Sequence, residues 1–281
     1  MKILPRSKST GGLAYHKTGP KTDKPPLIFI HGVGLRAESW GAQIKHFKSR
    51  FTVYAVDLPG HGESDGLAMA EPFVSAYRQK LESFIADEAI GPSFLCGHSL
   101  GALIALDLAV HTPRLCAGVA AISTIFQRSD EASIAVKDRA KFIRDNPDLD
   151  LATSPLQRWF EDQNCQEARL CRSMIESNSP AGYAAAYSAF ANSRGPHKAD
   201  VEQIGMPLLF LTGEDDFNST SLMSNDLAAL SHGSRAAIIK EARHMVLLTH
   251  AKETNAALDA YFKKAQAVSY THLTLPTILL V

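Results

Sequence analysis

Apolar residues in this chain fall into short continuous runs, separated by stretches in which they recur at helical spacing. The runs at 27–30, 52–56, 93–96, 118–123, 207–212 and 235–240 are continuous rather than alternating. Strands of that kind are buried on both faces, as in a parallel sheet covered by helices. Between them, 37–49, 71–90, 99–112, 219–231 and 251–265 repeat apolar positions at about 3.6 residues and predict helices. Strand and helix alternate, which predicts an α/β fold: a doubly wound, mostly parallel sheet, with 12–17 as an added antiparallel edge strand. One interval, 126–198, breaks the alternation and holds four helical patterns at 130–144, 155–162, 166–176 and 181–193. It reads as a helical cap inserted between two strands, over the strand ends where α/β enzymes bind ligands. The core is then 1–125 with 199–267, and the cap 126–198.

The last segment, 268–281, stands apart. It carries no Asp, Glu, Lys or Arg and resembles the in-frame translation of a transposase sequencing adapter. On that reading it is a non-native tail and the native chain ends near Ala267.

Composition narrows the function classes. The chain has 281 residues, 45% hydrophobic and 21% charged, which suits one sizeable globular core. Lys plus Arg equals Asp plus Glu at 29 each, so no net field gathers nucleic acid or an anionic membrane. No run is long enough to span a bilayer, and the first ten residues carry no secretory signal. The four cysteines, Cys96, Cys116, Cys165 and Cys171, have no C-x-x-C spacing, so neither a metal nor a redox site is expected. A cytoplasmic enzyme acting on a small molecule without a cofactor is the resulting expectation; nothing sets an oligomeric state.

The chemistry lies at strand ends. Gly97-His98-Ser99-Leu100-Gly101 is a G-x-S-x-G sequence. Alone, it would arise by chance in about one in ten chains of this length at ordinary Gly and Ser usage. Here it follows a predicted strand and opens a predicted helix. That context puts a serine on a strained turn with its hydroxyl exposed and the Leu100 N–H at a helix N-terminus. His31-Gly32-Val33-Gly34 follows the first buried strand and can donate a second N–H, from Val33, to an oxyanion. His31 itself reads as a structural hydrogen bonder. A serine also needs a base and an acid. Glu214, Asp215 and Asp216 follow the strand at 207–212, and His244 follows the strand at 235–240. Of the eleven histidines, His250 belongs to the final helix, His61 to a loop, and His16, His46, His111, His197 and His232 read as solvated. The turn after 118–123 offers Ser123 and Thr124 and no carboxylate. Ser99, Asp215 or Asp216, and His244 are therefore the candidate triad.

These pieces, with Asp57-Leu58-Pro59-Gly60-His61-Gly62-Glu63-Ser64, resemble the α/β-hydrolase superfamily of small esterases, enol-lactonases and C–C hydrolases over 27–262. The resemblance implies an acid three residues after Gly213, which selects Asp216 over Asp215. It also implies a carboxylesterase working through an acyl-enzyme. A proline usual after the acid is absent, with Ser219-Thr220-Ser221 in its place.

Substrate readings stay open. The stretch 180–187 resembles the cap of enol-lactonase-like relatives, and 34–38 resembles hydrolases of amidomethylene-succinate type, which cleave an enamide. Arg36 could pair with a substrate carboxylate, or simply with Glu38. Trp159 and Tyr187 are candidates for the acyl pocket, or for packing between cap and core. The alternatives to a carboxylesterase are a hydrolase of a carboxylate-bearing lactone, enamide or C–C substrate, and a noncatalytic ligand-binding scaffold.

Overall fold

The computed structural model describes residues 3–69 and 71–273, with side chains described as far as Ala267. In chain order its elements are β1 (Ser7–Lys8), β2 (Ala14–Thr18), β3 (Leu27–Ile30), α1 (Gly41–Phe47), β4 (Val53–Val56), α2 (Val74–Asp87), β5 (Ser93–His98), α3 (Leu100–His111) and β6 (Cys116–Ile122). Four helices follow: α4 (Asp130–Asp145), α5 (Thr153–Trp159), α6 (Gln166–Glu176) and α7 (Pro180–Ala191). The chain then continues through α8 (Lys198–Gln203), β7 (Leu208–Gly213), α9 (Ser221–Leu230), β8 (Arg235–Ile239), α10 (Val246–Thr249) and α11 (Ala251–Leu273).

All eight strands form one sheet in the order β1-β2-β4-β3-β5-β6-β7-β8. β1 and β2 pair antiparallel at one edge and every other pairing is parallel, apart from β2 with β4. The period of two sorts side chains to opposite faces. Leu27, Phe29, Val53, Phe94 and Leu211 face Trp40, Phe47 and Phe262 on one side. Ile28, Ile30, Val56, Leu95 and Phe210 face Tyr77, Phe84 and Leu106 on the other. Each such side chain contributes about 1.5–3 kcal/mol on burial, so both faces drive the fold. α3 is apolar and buried from Leu100 to Leu106, directly behind the central strands, and turns Asp107 and His111 outward near its end.

Two of the helices between β6 and β7, α4 and α7, start on serine side-chain caps. Ser129 accepts from Ala132 N–H at α4, and Ser179 from Gly182 N–H at α7, where Pro180 takes the first helical position. α4 packs on α7 and α5 on α6, whereas α8 packs back on α3 and α9.

Some expectations change. The pattern at 37–49 divides into a 3-10 turn, Ala37–Trp40, and α1. The edge strand spans Ala14–Thr18 rather than 12–17. His16 is buried, not solvated, with Nδ1 on the Pro5 carbonyl. β1 was not expected; Arg6 beside it reaches Asp57 at 2.8 Å and Glu38 at 2.7 Å, so the N-terminal segment is fastened by charge rather than by an apolar pattern. α11 continues to Leu273, past the predicted end at 265, and 274–281 of the atypical tail lie outside the described residues. Among the described residues, no helix is long and apolar enough to cross a membrane.

Candidate active site

Parallel strands bring their C-terminal ends to one edge, and the loops leaving β3, β5, β6, β7 and β8 meet there. Ser99 sits between β5 and α3 with φ 55° and ψ −116°, left-handed backbone that a non-glycine residue rarely adopts. The two flanking glycines are needed for close approach. A Cβ on Gly97 would lie 2.1 Å from the Gly101 carbonyl oxygen, and one on Gly101 would lie 2.2 Å from that of Ile30. The Ser99 N–H is bonded to the Ile122 carbonyl, which pins the turn to the neighbouring strand. Leu100 is the first residue of α3: its side chain is buried, and its N–H belongs to the free donors of a helix N-terminus.

The loop 32–34 crosses in front of this turn, and a Cβ on Gly32 would stand 3.0 Å from that of Ser99. His31 Nε2 accepts the Leu58 N–H at 2.8 Å, so its proton is on Nδ1, which donates to the Gly32 carbonyl at 2.7 Å. That carbonyl and the Val33 N–H share one peptide plane and point in opposite directions. Holding the carbonyl therefore aims the Val33 N–H. The Gly34 N–H is already donated to His61 Nε2 at 3.0 Å, which leaves Val33 as the donor of this loop. Both imidazoles are kept neutral by burial, which pushes His31 down to about 3 and His61 to about 4.

On the loop after β7, Asp216 is buried and Asp215 is exposed. Asp216 Oδ2 lies 2.8 Å from His244 Nδ1, and Oδ1 accepts the N–H groups of Asn218 and Ser219 at 2.9 and 3.1 Å. Burial pushes the Asp216 carboxyl up, but the charge and hydrogen bond of His244, with those two N–H groups, more than offset it and hold it below the usual carboxylate range. Asp215 instead turns its side chain to solvent. His244 is fixed at its backbone as well: its carbonyl accepts from His98 Nε2 at 3.0 Å and from Ser123 Oγ at 3.3 Å. The Trp159 ring stacks on the His244 ring at 5.7 Å.

Ser99, His244 and Val33 line one cavity of about 660 Å³, roofed by α4, α5 and α7. Trp159 and Tyr187, both predicted, line it too. Arg36 does not. The turn closed by Leu35 N–H on the Gly32 carbonyl leads it away from the cavity, to Glu38 at 3.8 Å and Ser177 Oγ at 3.2 Å. Three other cations line it, which the sequence reading missed: Arg128, Arg139 and Arg158. No Asp or Glu does. Arg128 is 5% exposed; its Nη1 donates to the carbonyls of Phe190, Ala191 and Ser193 at the end of α7. Its Nη2 has no hydrogen-bond partner among the described residues. Burial lowers its pKa to about 10, so it stays charged at neutral pH without a carboxylate beside it. A signal existed for Arg128, since a cation soon after a parallel strand lies at the ligand-binding edge. Arg139 and Arg158 lie on helix faces that read as solvated.

Similarity to known proteins follows the same architecture. Residues 27–257 match the alpha/beta hydrolase family. The chain is 35% identical over 240 residues to the (E)-2-((N-methylformamido)methylene)succinate hydrolase of Acinetobacter baylyi, covering 85% of this chain and 90% of that one. Among solved structures it superposes on an esterase from Thermogutta terrifontis with malate bound, at TM-score 0.82 and 25% identity, over 93% of this chain and 99% of that one. It superposes also on the enol-lactonase from Burkholderia xenovorans, at TM-score 0.80 and 20% identity, over 92% and 100%. With that coverage added to the sheet order and the strained serine turn, the chain belongs to the alpha/beta hydrolase family and is a hydrolase of that type.

Proposed function

We propose that this protein hydrolyses a small anionic acyl substrate, an enamide or ester bearing carboxylates, through an acyl-enzyme on Ser99, with the insertion α4–α7 as the cap over the site. The observation that carries the substrate class is the charge of the cavity: three arginines and no carboxylate among its lining residues. A buried arginine with an unused Nη2 supports binding of an anion, because an unsatisfied charged donor is costly until a ligand completes it. The Acinetobacter relative acts on a succinate derivative and the Thermogutta esterase holds malate, and both molecules are dicarboxylates. This reverses the order of the sequence reading, which placed plain esters ahead of carboxylate-bearing substrates.

In the proposed route His244 takes the Ser99 proton as the hydroxyl oxygen attacks the acyl carbon. Asp216 holds the imidazolium through Nδ1. The Val33 and Leu100 N–H groups receive the oxyanion. His244 then passes its proton to the leaving nitrogen or oxygen, and water repeats the cycle to release the acid. No cofactor enters the route.

The test uses two activated esters, the neutral p-nitrophenyl acetate and mono-p-nitrophenyl succinate, whose acyl chain is extended by a carboxylate-bearing carbon. Each arginine–carboxylate contact is worth about 1.5–3 kcal/mol, or about 10- to 150-fold. Wild type is expected to prefer the succinate ester in kcat/KM. Arg139→Ala with Arg158→Ala, and separately Arg128→Ala, are expected to cut that preference at least tenfold while acetate turnover changes little. A preference for the neutral ester that no arginine variant alters would sink the substrate class.

A further inference from the structure

We infer that Asn178, a residue of the insertion, is a positioning residue that couples the seating of the cap to the oxyanion-binding N–H of Val33. The inference rests on the serine-hydrolase reading above.

Asn178 lies between α6 and α7 and is 8% exposed. Its Nδ2 donates to the Gly34 carbonyl at 2.8 Å, and its Oδ1 accepts the Gly62 N–H at 3.0 Å. A carbonyl needs a donor and an N–H needs an acceptor, so the amide has one workable orientation. Gly34 directly follows Val33 and has φ +78°. The peptides around it are linked in series. Asn178 orients the peptide that carries the Gly34 carbonyl and the Leu35 N–H. That Leu35 N–H donates to the Gly32 carbonyl at 3.2 Å. The Gly32 carbonyl shares its peptide plane with the Val33 N–H. Turning the Gly34 carbonyl away from Asn178 therefore withdraws Leu35 from Gly32 and loosens the plane that aims Val33. His31 and His61 hold this loop from the core side; Asn178 is the grip that comes from the cap.

The cap meets the loop closely here. A Cβ on Gly34 would lie 2.7 Å from Tyr183 Cε2 and 3.0 Å from Ile175 Cγ1. A Cβ on Gly182 would lie 2.1 Å from the Gly60 carbonyl oxygen. Arg36 adds its contact to Ser177. Apolar contact would suffice to dock two helices. A buried amide that satisfies both sides of the catalytic loop ties the loop's shape to whether the cap is seated.

A simple anchor and a positioning residue differ in what they disturb. An anchor affects stability and substrate binding. A positioning residue affects binding of the transition state and spares the ground state. The variants are Asn178→Leu, which removes both bonds, and Asn178→Asp, which keeps the acceptor for Gly62 but cannot donate to Gly34. Asn178→Gln tests rescue. The probes are mono-p-nitrophenyl succinate for turnover and 5,5,5-trifluoro-4-oxopentanoic acid, whose ketone forms a hemiketal oxyanion on a serine. Succinate serves as ground-state ligand.

Both the Leu and the Asp variants are expected to lower kcat at least tenfold with KM within about threefold. Affinity for the trifluoroketone should fall in parallel with kcat, affinity for succinate should hold, and Gln should recover part of the loss. Unchanged kcat and trifluoroketone affinity in Asn178→Asp, or losses confined to KM and Tm, would overturn the inference. Should Asn178→Leu fail to fold, the Asp and Gln variants decide it. Failure of the underlying reading shows separately: a fluorophosphonate would then not label wild type at Ser99, or Ser99→Ala would keep its turnover.

Discussion

At the scale of single residues, environment separates groups of the same type. Asp215 and Asp216 are neighbours with the same carboxylate, yet only Asp216 is buried, bonded to His244 and held ionised by two backbone N–H groups. An amide at 216 would keep the shape but would turn its NH₂ or its uncharged oxygen towards His244, leaving the imidazolium unsupported. Asp216→Asn should therefore lower kcat on mono-p-nitrophenyl succinate by about 10³- to 10⁴-fold. Asp215→Asn should stay within about twofold, because its side chain faces solvent. Equal losses in the two variants, or the reverse order, would move the acid. The same contrast separates the arginines. Arg36 closely follows Val33 in sequence and is taken up by Glu38 and Ser177, while Arg128, soon after β6, reaches the cavity of Ser99.

At the scale of elements, legibility follows from how each element is stabilised. β3 to β7 were readable because each is an apolar run bracketed by turns, and a strand buried on both faces has no other pattern; β8, at the sheet edge, showed a similar run although it is only half-buried. The placement of Ser99, Asp216 and His244 at one edge of the sheet was readable for a related reason, since each follows the C-terminal end of a parallel strand. β1, α8 and α10 are too short to show a period, and Arg6 fastens the first of these by ion pairs. The cavity arginines were not readable, because a helix face turned towards a polar cavity has the same composition as one turned towards water. Glycine positions divide in the same way. Gly101→Ala ought to stabilise α3 by up to about 1 kcal/mol on helix propensity alone. Its Cβ would instead meet the Ile30 carbonyl oxygen at 2.2 Å, a backbone atom that cannot swing away. Overpacking of this kind costs about 1–3 kcal/mol or more and therefore wins. Gly101→Ala should lose at least about 2 kcal/mol in urea unfolding and most of its turnover. Gly41→Ala, with nothing within 4 Å of its Cβ, should change stability by no more than about 1 kcal/mol, upward. A neutral Gly101→Ala would show that α3 can shift away from β3 freely.

At the scale of the whole molecule, charge is balanced in sum and uneven in place. The 29 cationic and 29 anionic side chains cancel, yet the cavity lining is cationic and the edge formed by the strand C-termini keeps three histidines out of water. Burial holds His31 at about 3, His61 at about 4 and His98 at about 3, against an ordinary value of 6.5. Each is depressed in the folded state, so the unfolded chain binds protons first as pH falls. Their contribution is complete above about pH 6.5 and drains away as pH drops towards 4 and then 3. Three such groups give a slope of up to about 4 kcal/mol per pH unit between roughly 6 and 4. A domain of ordinary stability, about 5–15 kcal/mol, would be largely spent within that window. Urea unfolding at pH 7.5, 6.0 and 5.0 should therefore show stability nearly flat above pH 7 and falling steeply below 6. His61→Gln keeps an acceptor for the Gly34 N–H and a donor for the Pro59 carbonyl, and it removes one titrating ring. Its slope below pH 6 should be shallower by about 1.4 kcal/mol per pH unit, one proton's worth. Stability that stays level from pH 7.5 to 5.0, or a His61→Gln slope equal to wild type, would mean that these rings are not held neutral by the fold. The Nε2 atoms of His31 and His61 could then not accept the Leu58 and Gly34 N–H groups, since an imidazolium has two donors and no acceptor.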